Sequence, residues 1–139
     1  MMIIDAKDLI LGRMSALAAK KALLGEEIRI VNAEQAVITG KPKEILTEYN
    51  RRRIMGPALI GPFFPRTPER LVKRVVRGML PYKNPRGKEA LARVKCYVGV
   101  PEEFKKEKLL TFDDMNVNNS PAKFIRIKEI SKQLGAKVE

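Results

Sequence analysis

The feature of this sequence that most constrains its fold is an alternation of short apolar runs with helical segments over the first fifty residues. The runs Met2–Asp5, Ile28–Val31 and Val37–Thr39 are typical of short strands, while apolar spacing over Leu11–Leu24 and a first-turn proline in 42–53 predict two helices. This order of elements favours a mixed α/β sheet with helices packed on it. Only five residues separate the second and third strands, which is short for a parallel crossover, so the pairing of these two strands stays open.

Proline and glycine mark the elements that follow. Residues Ile54–Thr67 form a loop of fourteen residues with no periodicity of its own, and loops of that length inside compact domains are usually functional. Helices are predicted over Pro68–Gly78 and Pro85–Arg93, followed by a core strand over Val94–Val98. Residues Phe124–Leu134 are expected to form a strand followed by a final helix.

The basic charge of the chain is concentrated in its middle. The 139 residues carry 28 Lys and Arg against 16 Asp and Glu, a net charge of +12, yet 45% of them are hydrophobic, which indicates a folded protein with a polyanionic partner. Residues 41–95 hold fifteen basic and four acidic residues, or +11 of the +12. This block predicts a phosphate-binding surface, and the alternative is a merely solvated basic face.

The helix over Pro68–Gly78 separates charge from apolar surface most clearly. Leu71, Val72, Val75 and Val76 share one side, and the opposite side is cationic, with Glu69 placed to pair with Lys73. In the preceding loop, Phe63 and Phe64 either stack on bases or pin the loop to the core, and pinning is favoured. The predicted RNA-binding residues are Arg51, Arg52, Arg53, Arg66, Arg70, Lys73, Arg74, Arg77, Lys83, Arg86 and Lys88.

Several classes of chemistry are excluded by composition and spacing. The chain has no histidine and one cysteine, Cys96, so it has no Ser-His-Asp triad and no internal disulfide or thiolate zinc site. The glycines fit neither a P-loop nor a dinucleotide fingerprint, and the residues from Asp114 lack the glycine and glutamate of a calcium loop. We therefore expect no catalytic residues, no cofactor and no metal. Two carboxylates in the first eight residues argue against a signal peptide, and a cytoplasmic location is expected.

Five short motifs occur in an order that resembles a known family. They are Gly12-Arg13-Met14-Ser15-Ala16, Val31-Asn32-Ala33-Glu34, Thr39-Gly40-Lys41, Arg77-Gly78-Met79-Leu80-Pro81 and Val94-Lys95-Cys96-Tyr97-Val98-Gly99. Together they resemble the universal large-subunit ribosomal protein L-thirteen family over residues 2–101. The Pro-His stretch that bacterial members carry after the last core strand is replaced here by Gly99-Val100-Pro101-Glu102, and the chain has no histidine, so it resembles the archaeal type of the family.

The resemblance implies a fold, a function and partners. The fold would be a three-layer α/β/α sandwich around a largely parallel four-stranded sheet, which would make the open strand pairing parallel. The chain would form a single ribosomal RNA-binding domain over 1–139, with a core at 2–101 and a polar C-terminal tail at 102–139. It would be a structural constituent of the large ribosomal subunit that contacts ribosomal RNA and neighbouring subunit proteins and supports early assembly. It would bind no membrane and no small-molecule substrate.

Two other functions compete with this interpretation. A nucleotide-binding enzyme on a Rossmann-like sheet is suggested by the α/β order and by Gly12 alone. A DNA-binding module is disfavoured because the sequence has no helix-turn-helix or zinc-finger signal.

Overall fold

The predicted order of strands and helices is present in the computed structural model, which describes residues 1–138. Five α-helices and five short strands are formed by these residues. In chain order they are β1 (Met2–Asp5), α1 (Leu11–Leu23), β2 (Ile28–Val31), β3 (Val37–Thr39), α2 (Pro42–Ile54), α3 (Pro68–Gly78), α4 (Pro85–Arg93), β4 (Val94–Cys96), β5 (Phe124–Arg126) and α5 (Ile127–Gln133).

Local chemistry explains where the helices begin and end. α2, α3 and α4 each start with a proline, whose fixed φ suits a first helical turn and whose missing N–H would have no partner there. α1 is followed by Gly25 at φ +98°, the left-handed conformation that glycine adopts without steric cost. Helix boundaries could therefore be predicted to within one or two residues.

A parallel sheet lies at the centre of the fold. Its strand order is β1-β2-β4, with Ile4 opposite Ile30 and Ile28 opposite Val94. Because side chains alternate along a strand, these four residues share one face, and all are fully buried in the core that α1, α3 and α4 help to form. The mixed α/β class and the parallel sheet are thus confirmed.

β3 departs from the expected arrangement. It pairs antiparallel with β5, with Ile38 opposite Ile125, so the expectation of a parallel pair between β2 and β3 is wrong. In the five residues between β2 and β3, Asn32 adopts a left-handed φ of +56° and a single 3₁₀ turn follows. This turn redirects the chain, because the span is too short for a parallel crossover. The parallel sheet consequently has three strands where four were expected.

Within residues 1–138, the second face of the sheet is covered by a 3₁₀ turn and irregular backbone and not by an α-helix. Ile3 and Val31 pack there with Phe104, which belongs to a 3₁₀ turn after β4, and the Tyr97 ring lies 5.6 Å from that of Phe104. Leu110 exchanges backbone hydrogen bonds with β1, donating to Ile3 and accepting from Asp5. A segment of irregular backbone therefore closes this side.

Residues 124–134 contribute to the main core. The predicted strand and helix are both present, as β5 and α5, and Ile125, Ile127, Ile130 and Leu134 are buried with the side chains of α1 and α3. α5 contacts both α2 and α3. The C-terminal segment thus supports the two helices that carry most of the candidate arginines. Within residues 1–138, no helix has the length and apolar character needed to cross a membrane.

Candidate nucleic-acid interface

α3 presents one apolar and one cationic side, as its sequence predicts. Leu71, Val72 and Val76 are at most 2% exposed in the core, whereas Val75 is half-buried. On the other side Arg70 and Arg74 are exposed, and Lys73 and Arg77 are half-buried. The apolar side holds the helix on the fold, and the cationic side is free for a partner.

The α3 cations are not neutralised by carboxylates. Within the described residues, none of them forms an ion pair, and the expected pair between Glu69 and Lys73 is absent. The guanidinium of Arg77 instead lies 4.6 Å from the centroid of the Tyr82 ring, and that of Arg74 lies 5.7 Å from that of Phe64. Such cation–π contacts orient an arginine without cancelling its charge.

The three arginines near the end of α2 are partly neutralised. Arg51 donates to both oxygens of Glu48, at 3.0 and 2.8 Å, and Arg52 donates to the same carboxylate at 3.1 Å. These hydrogen bonds, with that of Arg51 the stronger influence, lower the pKa of Glu48 from 4.5 to about 2. Arg53 donates to the neutral side chain of Asn50 and keeps its charge.

Phe64 connects α2 to α3. Its ring meets that of Tyr49 edge-on at 5.9 Å, and the guanidinium groups of Arg52 and Arg74 approach it from the two helices. Phe64 therefore pins the loop, as favoured from the sequence. Phe63 does not, since 72% of its surface is exposed.

The loop between α2 and α3 ends in an apolar tip. Residues 54–65 contain no polar side chain, and Leu59 and Ile60 are 94% and 82% exposed. The base of the tip is closed by the Gly61 amide donating to the Pro57 carbonyl at 3.0 Å. A Cβ on Gly56 would lie 2.1 Å from the Gly61 carbonyl oxygen, so this approach requires glycine.

A groove of about 730 Å³ runs along the cationic side of α3, and we call it the α3 groove. Its other walls are the segment Phe63–Thr67 and the end of β4, with Leu91 from α4. Five of the predicted residues meet here: Arg66, Arg70, Lys73, Arg74 and Arg77. Lys95 also lines the groove. It was not predicted from the sequence, although a charged residue between Val94 and Cys96 in a predicted core strand could have identified it.

The remaining predicted cations lie elsewhere on the same half of the chain. Lys83, Arg86 and Lys88 are exposed around the start of α4 and do not line the α3 groove. Gly87 is buried there, and a Cβ on it would lie 1.9 Å from the Pro81 carbonyl oxygen, so the turn can only close with glycine. We call the eleven predicted residues together with Lys95 the cationic surface.

Arg66 is positioned by the C-terminal segment. The buried hydroxyl of Ser131 on α5 donates a hydrogen bond to the backbone carbonyl of Arg66. The loop is thereby fixed at the point where it enters α3, with the Arg66 side chain left exposed.

Cys96, the acidic side chains and Gly12 are the remaining candidates for catalytic or cofactor chemistry in the described residues. Burial raises the pKa of the Cys96 thiol to about 12, which disfavours the thiolate that a nucleophile requires. Residues 1–138 contain no group of three or more His, Cys, Asp or Glu side chains placed to hold a metal ion. Gly12 lies within α1, and a Cβ added to it would meet nothing within 4 Å, so no close approach of the backbone requires glycine there.

Comparison with known proteins finds one family that matches most of the chain. The model of the family described as "Ribosomal protein L13" matches residues 1–103. A protein of Methanosarcina barkeri named "Large ribosomal subunit protein uL13" is 48% identical over 139 residues, covering 99% of both chains. Proteins with the same name from Methanococcoides burtonii and Methanocaldococcus jannaschii are each 46% identical over 138 and 142 residues, again covering 99% of both chains.

Proposed function

The chain belongs to the ribosomal protein L13 family, and on that basis we propose that its cationic surface binds ribosomal RNA in the large ribosomal subunit. It is a structural constituent of the large subunit and not an enzyme, and it acts in the cytoplasmic ribosome. The alternative of a nucleotide-binding enzyme is therefore wrong. The relatives named above come from archaea, in keeping with the archaeal type indicated by the sequence.

The observation that carries the proposal is a concentration of unpaired cations on one half of a rigid fold. Arg66, Arg70, Lys73, Arg74 and Arg77 line one groove, and none of them forms an ion pair with a carboxylate in residues 1–138. Surface cations that are not paired with carboxylates favour binding of RNA, because each contact with a phosphate releases condensed counterions from the RNA. Arg51, Arg52, Arg53, Lys83, Arg86 and Lys88 extend this surface on either side.

Support for early assembly comes from the same arrangement. A protein that contacts several RNA segments through one rigid surface stabilises their relative placement, which is most useful before the RNA has reached its final fold. We propose neighbouring large-subunit proteins as further partners, and the apolar tip at Leu59 and Ile60 is the surface best suited to them because RNA offers few apolar contacts.

The finer family fold is also a proposal. In the four-stranded arrangement that the resemblance implies, a fourth strand would flank the three that are present. Leu110 forms a parallel bridge with Ile4 at the outer edge of β1, and we propose that this single residue occupies the place of the fourth strand.

The salt dependence of RNA binding tests the proposal. Each phosphate contact contributes about −0.7 to −0.9 to the slope of log affinity against log salt, so six contacts from the α3 groove alone give a slope of about −4 to −5. The measurement uses purified full-length chain and large-subunit RNA over a range of potassium chloride concentrations. A slope shallower than about −2 would contradict phosphate binding by this surface. Absence of the chain from purified large subunits would contradict the function itself.

A further inference from the structure

The α3 groove has a shape that a continuous RNA duplex does not fill. It is an open groove, and its volume of about 730 Å³ is large enough to receive a single base. A double helix presents a convex surface of phosphates with its bases stacked inside. Contact with a duplex would therefore engage the cations at the rim and leave the interior of the groove empty.

The interior of the groove is suited to a base. Phe63 stands at its wall with 72% of its surface exposed, although a phenylalanine is normally covered by its own protein. Leu91 and Cys96, which pack on the same side of the sheet as α3, add neutral, largely apolar groups to the lining. Unstacked bases of RNA bind to aromatic side chains in such surroundings.

The rim of the groove is suited to the phosphates on either side of that base. Arg70 and Lys73 belong to α3, Lys95 belongs to β4, and Arg66 belongs to the loop that leads into α3. Glu69 is the single carboxylate among the groove-lining residues. Cations contributed by three separate elements, together with neutral lining groups, suit an extended strand with one base turned into the groove.

Resting on the proposed function, we infer that the α3 groove takes one unpaired nucleotide of the bound RNA, with its base against Phe63 and its flanking phosphates on the cations that line the groove. The proposal assigns two kinds of contact to one surface. The cations outside the groove hold phosphates of any RNA, and the groove distinguishes RNA with an extruded nucleotide from RNA without one.

The test compares three probes with the purified full-length chain at one salt concentration. They are an RNA hairpin with a single bulged uridine, the same hairpin fully paired, and uridine monophosphate. We expect the bulged hairpin to bind about tenfold more tightly than the paired one, the effect of one base stacked on an aromatic side chain. Uridine monophosphate is expected to bind far more weakly, because it lacks the neighbouring phosphates.

Two variants test whether the α3 groove causes the preference for the bulged hairpin. Phe63→Ala is expected to abolish the tenfold preference and leave binding of the paired hairpin unchanged, and the variant should fold because Phe63 is exposed. Lys95→Gln should weaken binding of the bulged hairpin more than that of the paired one. As a control, Leu59→Ala, which removes an exposed apolar side chain from the same loop, should leave the preference intact.

Three results would count against the nucleotide site or against the proposed function, and the measurements distinguish them. Equal binding of both hairpins, insensitive to Phe63→Ala, overturns the nucleotide site and leaves the proposed function standing. Failure of both hairpins and of large-subunit RNA to bind at low salt overturns the proposed function. Binding of uridine monophosphate as tight as that of the bulged hairpin would make the groove a site for free nucleotides and would also overturn the inference.

Discussion

The guanidinium of Arg77 lies 4.6 Å from the centroid of the Tyr82 ring, and this contact joins the last turn of α3 to the segment that leads into α4. Arg74 has a similar relationship with Phe64 at the side of the helix nearer the loop. Aromatic rings therefore hold Arg74 and Arg77 in place on the cationic side of α3, and these two arginines are preordered for a partner while their charges remain available.

Replacing Arg70, Arg74 and Arg77 together with glutamine tests whether α3 faces the RNA. We expect lower RNA affinity at every salt concentration and a slope shallower by about 2 to 3, since three phosphate contacts are lost. Loss of the cation–π contacts of Arg74 and Arg77 should lower the free energy of unfolding by about 1 to 2 kcal/mol.

A matched control places the same charge change elsewhere. Changing Lys105, Lys106 and Lys108 to glutamine removes three exposed cations outside the cationic surface. Chemical denaturation and a salt titration of binding measure both variants. Equal loss of affinity in the two would mean that net charge alone, and not this helix, determines binding.

The apolar side of α3 should affect stability alone. Val76 is fully buried, so Val76→Ala is expected to lower the free energy of unfolding by about 2 to 3 kcal/mol through lost transfer energy and a cavity. Val75 is half-buried, and Val75→Ala should have a smaller effect of about 1 kcal/mol. Denaturant titration gives the stabilities, and the RNA affinity of the folded fraction should be unchanged. A selective loss of affinity in either variant would contradict the division of the helix into two sides.

Gly87 is expected to be intolerant of any side chain. A Cβ there would lie 1.9 Å from the Pro81 carbonyl oxygen, so the backbone of the turn must move, and Gly87→Ala should destabilise by about 3 kcal/mol or more. Gly78 provides the control, because a Cβ on it meets nothing within 4 Å and Gly78→Ala should be neutral or stabilising by up to about 1 kcal/mol. Thermal unfolding compares the two, and equal effects would show that the close approach of the chain at Pro81 is not required.

Glu48 should restrain RNA binding by Arg51 and Arg52. Glu48→Gln releases both guanidinium groups, and the salt slope is expected to steepen by about 0.7 to 0.9 for each arginine that then reaches a phosphate. Glu44→Gln makes the same charge change on α2 beside Lys41 and should leave the slope unchanged. An unchanged slope in both variants would mean that α2 does not contact RNA.

The effect of Glu48 has a defined pH dependence. Its pKa is lowered to about 2, so the carboxylate is ionised above that value and its pairs with arginine are lost only as the pH falls through it. The difference in affinity between Glu48→Gln and the parent should therefore be constant from about pH 5 to about pH 8, a window in which this carboxylate does not titrate.

The helices could be predicted from the sequence because their limits are set locally. Pro42, Pro68 and Pro85 begin three of them, and Gly25 follows another, each for reasons contained within a few residues. The pairing of β3 could not be predicted in this way. Its partner, β5, lies far along the chain, and no nearby residue specifies that Ile38 faces Ile125.

The candidate site could likewise be predicted from the sequence only in part. The amphipathic pattern of α3 was visible in the sequence, because helical periodicity places its arginines on one side. Neither the contribution of Lys95 nor the stacking of Arg77 on Tyr82 could be predicted, since both depend on how α3 packs against β4 and α4. The ion pairs of Glu48 at i, i+3 and i, i+4 were within reach of the sequence and were not anticipated.

The hydrogen bond from Ser131 to the Arg66 carbonyl has a consequence for the order in which the protein is made. α2, the loop and α3 are synthesised well before α5, yet α5 packs on both helices and holds the loop at Arg66. A growing polypeptide that has completed α3 therefore still lacks the element that fixes the loop. We expect such a nascent chain to hold RNA only loosely, so that firm engagement follows completion of α5, and premature capture of RNA during translation is disfavoured by the architecture of the fold.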